Sequence, residues 1–374
     1  MLWESVPHLI ILLDDRFILE FNRHYGTQVL LSSALREYGC FNDVNSHMPF
    51  ATVDIMYRAY LDNHTENDIA LLGKYIQQAF IEELSKTSWL SEKTRQSTRN
   101  KIYEMELTIE YADEQFREKQ LDNLYKDVDF QTGTYFENCM NIIKYLIGNM
   151  KKQLREPDDN YEANPIIINA FYNYDLNKII ILIGLLQPPV YHKHLPKCIN
   201  FGGLGNLIGH EATHGFTLEG LEFDKIIEKK WEWDIATIEA FNEKAQCFIE
   251  QYKNFTTELG INIEKVVSLT ENIADSGGIK KTFLAYKNWS KSHNNSDETL
   301  PGMSYTPGQL FFLTFAQMKC ESISPDLYSK KLLYNKHAPS KYRITSTLQN
   351  SEDFANEFNC PPGSRMNPTT KCSI

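Results

Sequence analysis

Apolar residues recur every three to four positions through "NDIALLGKYIQQAFIEELSKTSWLSEKTRQSTRNKIYEMELTI", a stretch with a single glycine. That period is the signature of amphipathic helices, so residues 1–155 read as helical. Ser91 followed by charged residues in "SWLSEKTRQ" predicts a helix start. "LREPDDNYEANP" (154–165) breaks the pattern with proline and polar residues and predicts a boundary. The pattern then changes. In "IIINAFYNYDLNKIIILIGLLQPP" two β-rich runs flank "YNYDLNK", which predicts a strand pair ended by Pro188-Pro189. From 203 onward helices dominate again, and the aromatic stripe "QLFFLTFAQ" reads as core packing. There is no internal repeat and no low-complexity tract. The chain therefore divides into a helical part, 1–155, and a second part, 165–374.

Composition narrows the function classes. With 374 residues, 42% apolar and 23% charged, the chain has the make-up of a globular protein of one large or two ordinary domains. A net charge of −11 argues against a nucleic-acid partner, which calls for a basic face. The longest apolar run, "IIILIGLL" (179–186), is too short to span a bilayer. The N-terminus has an apolar patch but neither a basic leader nor a small-residue cleavage site, so no signal peptide is read there. Four N-x-[ST] sequons, at Asn63, Asn254, Asn288 and Asn294, point weakly the other way, to an extracellular setting. The cysteines are seven, an odd number, and none forms a CxxC pair, so neither a zinc finger nor a thioredoxin motif is supported.

The chemistry concentrates in "NLIGHEATHGF" (206–216). On a helix, positions i and i+4 lie about 40° apart and about 6 Å along the axis, so His210 and His214 can reach one metal ion. Glu211 stands one step round, placed to take a proton from water beside the metal. A chance HExxH in a chain of this composition has a probability of about 2%, so the motif alone is suggestive only. "TENIADSGG" (270–278) strengthens it. Glu271 and Asp275 again share a helical face: Glu271 can complete a His-His-Glu zinc site, and Asp275 can accept the outer N–H of a ligating histidine. The pair in "HKH" (192–194) falls in a loop after the prolines and has no assigned role.

With these residues in place, the chain resembles the neprilysin and endothelin-converting-enzyme family (M13) of zinc metallopeptidases from about residue 35 to its end. Six ordered blocks carry the resemblance: "NAFY" with "LLQPP", "GHEATHGF", "ENIADSGG", "QLFFLTFAQ", "YRITSTLQNSEDFANEFNC" and "MNPTTKC". The resemblance implies a mainly α fold with a small mixed β-sheet, thermolysin-like around the metal. It implies that 1–155 is the end of the family's helical N-terminal region and 165–374 its peptidase domain. It further implies one Zn²⁺ held by His210, His214 and Glu271, with Glu211 as general base and Asp275 behind the ligands. His337 matches the oxyanion-stabilising histidine, Arg343 the arginine that holds substrate backbone, and Asn169 and Ala170 the strand that pairs with the peptide main chain. Each role suits its chemistry: imidazole donates to an oxyanion, arginine offers a planar fork to carbonyls, and a sheet edge aligns an extended peptide.

The expected activity is hydrolysis of oligopeptides on the amino side of apolar residues. The alternative is a truncated, weak or inactive paralogue that only binds a peptide or partner. Localisation by resemblance is the extracellular face of a membrane, since full-length members are membrane-anchored. Three positions depart from the family: Thr217 and Asn335 replace acids, and Lys319 replaces a tryptophan. The first two remove negative charge near the site and predict weakened or pH-shifted activity. Members are about twice this length, so the chain reads as a fragment or truncation. The family pattern pairs Cys247 with Cys372 and sends the partners of Cys40, Cys320 and Cys360 upstream; Cys139 and Cys198 have no counterpart.

Overall fold

The computed structural model describes residues 15–25, 33–110, 114–155, 166–226, 231–258, 269–294, 299–324 and 337–374. In chain order its principal elements are α1 (Asp15–Tyr25), α2 (Ser33–His47), α3 (Pro49–Tyr60), α4 (Asn63–Lys86), α5 (Glu92–Glu104), β1 (Glu106–Ile109), α6 (Glu114–Tyr125) and α7 (Tyr135–Gln153). Then follow β2 (Ala170–Asn173), β3 (Lys178–Ile181), α8 (Asn206–His214), α9 (Leu218–Ile226) and α10 (Ile235–Glu258). The last are α11 (Leu269–Ser292), α12 (Pro307–Met318), α13 (Ser340–Asn350) and α14 (Glu352–Glu357). The fold is mainly helical with one small mixed sheet, as expected. Among the described residues no helix is long and apolar enough to cross a membrane.

The chain forms two compact units. One comprises Met1–Tyr60 with Tyr111–Ile167, the other Leu61–Glu110 with Ile168–Ile374. In the first, α2 packs on α3 and α7, and α3 on α6. A division at 155–165 thus separates stretches of sequence, whereas compactness assigns α4, α5 and β1 to the second unit. The physical reason is that α4 packs on α11 and β1 pairs with β3.

In the second unit, α4 is built as its pattern demands. Ile69, Leu72, Ile76, Ala79 and Phe80 fall on one buried stripe, and Asp62 caps the start by accepting the Thr65 N–H at 2.8 Å. Ser91 caps α5 by accepting the Thr94 N–H at 3.1 Å, as the sequence predicts. The strand pair is also where expected. β2 and β3 run antiparallel, with Ala170 opposite Ile181 and Asn173 opposite Lys178. The third strand corrects the helical reading of 1–155. β1 pairs parallel with β3, Glu106 opposite Lys178 through Ile109 opposite Ile181, giving the order β1-β3-β2 with β2 at an edge. Four residues are too few for periodicity to separate strand from helix; here the partner strand decides.

The core of this unit is aromatic. α12 opens with a capping box between Thr306 and Gln309 and buries Leu310, Phe311, Phe312 and Phe315. Phe283 of α11 meets Phe311 and Phe312 at ring-centroid distances of 5.0 and 4.7 Å. A second cluster joins Phe241, Ala245 and Phe248 of α10 to Ile273 and Cys372, with Trp89, Trp233 and Ile374 packed against it. The Cys247–Cys372 disulfide closes there, as the family pattern implies; the other five cysteines are unbridged. A buried ion pair, Lys101 Nζ to Asp224 Oδ2 at 2.5 Å, ties α5 to α9.

Candidate metal centre

The site is built on the antiparallel contact between α8 and α11. A π-helical turn, Phe201–Gly205, leads into α8 and lies against α12. Small residues then let the two helix backbones meet. A Cβ on Gly209 would sit 2.2 Å from Thr282 Oγ1, and one on Gly278 would sit 2.7 Å from the His210 backbone N. Thr282 Oγ1 donates to Gly205 O at 3.3 Å, in the π-helical turn that leads into α8. With the backbones in register, the side chains one step round each helix converge.

His210 Nε2 lies 3.1 Å from His214 Nε2 and 3.1 Å from Glu271 Oε2; His214 Nε2 lies 3.7 Å from Glu271 Oε1. Four-coordinate zinc with ligands at about 2.0–2.1 Å holds neighbouring ligand atoms about 3.3 Å apart. The three separations bracket that value, the two imidazoles are buried, and two ring nitrogens facing each other call for a shared proton or a shared cation. These residues fit a zinc ion. His337 Nε2 reaches Glu271 Oε2 at 2.9 Å from a side chain that is 41% exposed, so it enters the same cluster from the solvent side.

Asp275, fully buried, is the hub behind the cluster. Its Oδ1 lies 3.0 Å from His210 Nδ1. Arg343 of α13 grips the carboxylate with both arms of a fork, Nε to Oδ2 at 2.6 Å and Nη2 to Oδ1 at 2.7 Å. Lys319, just past the end of α12, adds its Nζ 3.5 Å from Oδ1. Burial alone would raise the Asp275 pKa, but Arg343 and Lys319 hold it well below the carboxylate range.

Glu211 is buried beside the ligands, where the nearby backbone N–H of Tyr172 in β2 favours its charged form. Burial, opposed by His210 and reinforced by the charge of Glu271, pushes it up to about 7. Burial opposes charge on His210 as well, but Asp275 and Glu271 outweigh it and raise His210 to about 9. Burial and the His210 charge push His214 down to about 4. Ala170 opens edge strand β2, and exposed Asn169 precedes it, its carbonyl accepting Leu182 N at 3.2 Å.

The departures resolve differently. Thr217 is buried, and its hydroxyl donates to His214 O at 3.0 Å and accepts the Gly220 N–H at 3.3 Å. It links the end of α8 to the start of α9; a carboxylate at 217 could accept the Gly220 N–H but could not donate to His214 O. Asn335 lies outside the described residues. The sequence assigns no role to two contributors: the Tyr172 main chain, which carries no side-chain signal, and Lys319, which it marks only as a departure. Lys319 did leave a trace, since Phe312, Phe315 and Lys319 follow helical spacing and place it on the inward face.

Comparison with known proteins agrees with the geometry. Sequence patterns of peptidase family M13 match residues 169–374 and 1–112. Endothelin-converting enzyme 1 of Cavia porcellus is 34% identical over 380 residues, covering 100% of this chain and 50% of that protein. Neprilysin-2 of Caenorhabditis elegans is 34% identical over 366 residues, 97% of this chain and 50% of its own. The chain thus spans about half the length of the curated relatives it matches. Among solved structures, the zinc metalloprotease Zmp1 of Mycobacterium tuberculosis, in complex with an inhibitor, superposes with a TM-score of 0.76 at 21% identity over 97% of this chain and 55% of that one. PepO of Lactobacillus rhamnosis does so with a TM-score of 0.69 at 22% identity, covering 88% and 50%. With both parts of its sequence matched and the fold shared, the chain belongs to peptidase family M13.

Proposed function

We propose that this chain carries the catalytic machinery of a zinc endopeptidase that hydrolyses oligopeptides on the amino side of apolar residues. The observation that carries the reading is the convergence of His210, His214 and Glu271 at zinc-ligand spacing with the buried Glu211 beside them. His210, His214 and Glu271 would hold one zinc, which supplies Lewis-acid polarisation of water and of the peptide carbonyl. Glu211, with its pKa raised to about 7, is poised to take the proton of the attacking water and return it to the leaving amine.

His337 stands on the solvent side of the cluster, where it can donate to the oxyanion that forms as the carbonyl is attacked. Arg343 uses Nε and Nη2 on Asp275, which leaves Nη1 for a substrate carbonyl. Asn169 and Ala170 lead into the edge strand, whose outer side offers main-chain pairing to an extended peptide. By kinship the setting is extracellular.

The test is zinc content together with cleavage of a quenched peptide. The 374-residue chain is expected to bind one zinc and turn the peptide over. Glu211→Gln is expected to keep the zinc and lose about 10²–10⁴ in kcat. Zinc bound by the unsubstituted chain with no turnover would instead support a non-catalytic, peptide-binding role.

A further inference from the structure

Lys319 is out of place by every local rule. It follows the apolar α12, is 11% exposed at its side chain, and rests its ammonium 5.3 Å from the Phe315 ring. Burying an ammonium costs several kcal/mol unless it is paired. Its partner, Asp275, is already held bidentately by Arg343 and needs no second cation. Its Nζ lies 3.5 Å from Oδ1, the oxygen that is 3.0 Å from His210 Nδ1 and that also accepts from Arg343 Nη2 at 2.7 Å.

An acceptor oxygen behind a ligating imidazole raises the basicity of the ring and strengthens its bond to the metal. A cation drawing on that same oxygen does the reverse. The charges nearest the centre point the same way: Glu211, Glu271 and Asp275 are faced by Arg343 and Lys319, so each cation lowers the pull on a dication.

We infer that Lys319 is a positioning residue that weakens the hold of His210 on the metal through Asp275 Oδ1, setting a lower zinc affinity and a faster zinc release than the ligands alone would give. The inference rests on the reading of His210, His214 and Glu271 as zinc ligands. It concerns metal binding and not turnover.

Competition between the metal-free chain and a chromophoric chelator measures it. Lys319→Met is expected to bind zinc on the order of tenfold more tightly than the unsubstituted chain and to release it more slowly. Lys319→Arg, which keeps the cation, is expected to restore the original affinity; a merely structural role for the side chain would not produce that pattern. Lys319→Gln, neutral and polar, gives the same comparison if the apolar variant does not fold, as judged by circular dichroism of the metal-free protein. Equal zinc affinity in the neutral variants and the unsubstituted chain, or weaker affinity in the neutral ones, overturns the inference and leaves the metal reading intact. Failure of the unsubstituted chain to bind zinc at all overturns both.

Discussion

At the residue scale, the two histidines of "HEATH" differ sharply although they are four positions apart on one helix. His210 is raised to about 9 by Asp275 and Glu271 against the cost of burial, while His214 is lowered to about 4. The metal-free centre at pH 8 therefore carries one proton, on His210. On the proposed ligation the His210 imidazole must be neutral, so zinc would have to displace that proton. The sign follows: below about 9 the proton competes with the metal, and affinity rises with pH. We expect zinc binding at pH 8 to release about one proton per chain, with affinity climbing up to about tenfold per pH unit before levelling near pH 9. Calorimetry in buffers of different ionisation enthalpy reads this directly, and an affinity independent of pH between 7.5 and 9 would contradict it. The pairs His210/His214 and Glu271/Asp275 were legible because i, i+4 spacing and residue type are local facts, whereas His337 and Arg343 were implied only by the resemblance. Lys319 stood out only as a departure from the family; its contact with Asp275 was not readable, because the two lie 44 positions apart on different elements and only the fold brings them together.

At the element scale, the decisive feature is the glycine contact between α8 and α11. Gly278→Ala would drive a Cβ to 2.7 Å from the His210 backbone N, where no flexible side chain can give way. The helices must part, and His210 moves away from Glu271. We expect a loss of about 2–3 kcal/mol in stability and a clear fall in zinc affinity, read by urea denaturation and chelator competition. Gly148→Ala is the control. It sits inside α7 with nothing within 4 Å of its new methyl, and should gain up to about 1 kcal/mol from helix propensity alone. Equal effects of the two substitutions would argue against the close contact. Helix positions were largely readable here, since α4 and α12 follow their apolar periods and α5 begins at its predicted cap. β1 was not, since a four-residue strand is defined by the partner it finds in β3.

At the scale of the whole molecule, Cys247 and Cys372 join positions 125 residues apart and fix the end of the chain against α10 and α11. A loop of that length loses much entropy when closed in the unfolded state. Cys247→Ser should therefore cost about 2–5 kcal/mol, seen as a lower urea midpoint. Reductant should lower the midpoint of the unsubstituted chain and leave the variant unmoved; a variant as stable as the original would show that the core alone anchors the terminus. Sequence pattern alone could not choose this pair among seven cysteines; kinship implied it and the folded chain brings it together.

The touching backbones of α8 and α11 have one more consequence. They set the spacing of the proposed ligands in the polypeptide, before any ion arrives. If those residues hold a metal as proposed, the ion would meet a three-point socket of two nitrogens and a carboxylate, at a spacing suited to small tetrahedral cations. Cobalt would be accepted in place of zinc, while calcium and magnesium, which demand six or more oxygens, would find too few. Selectivity among metals would then rest on two glycines that never touch one.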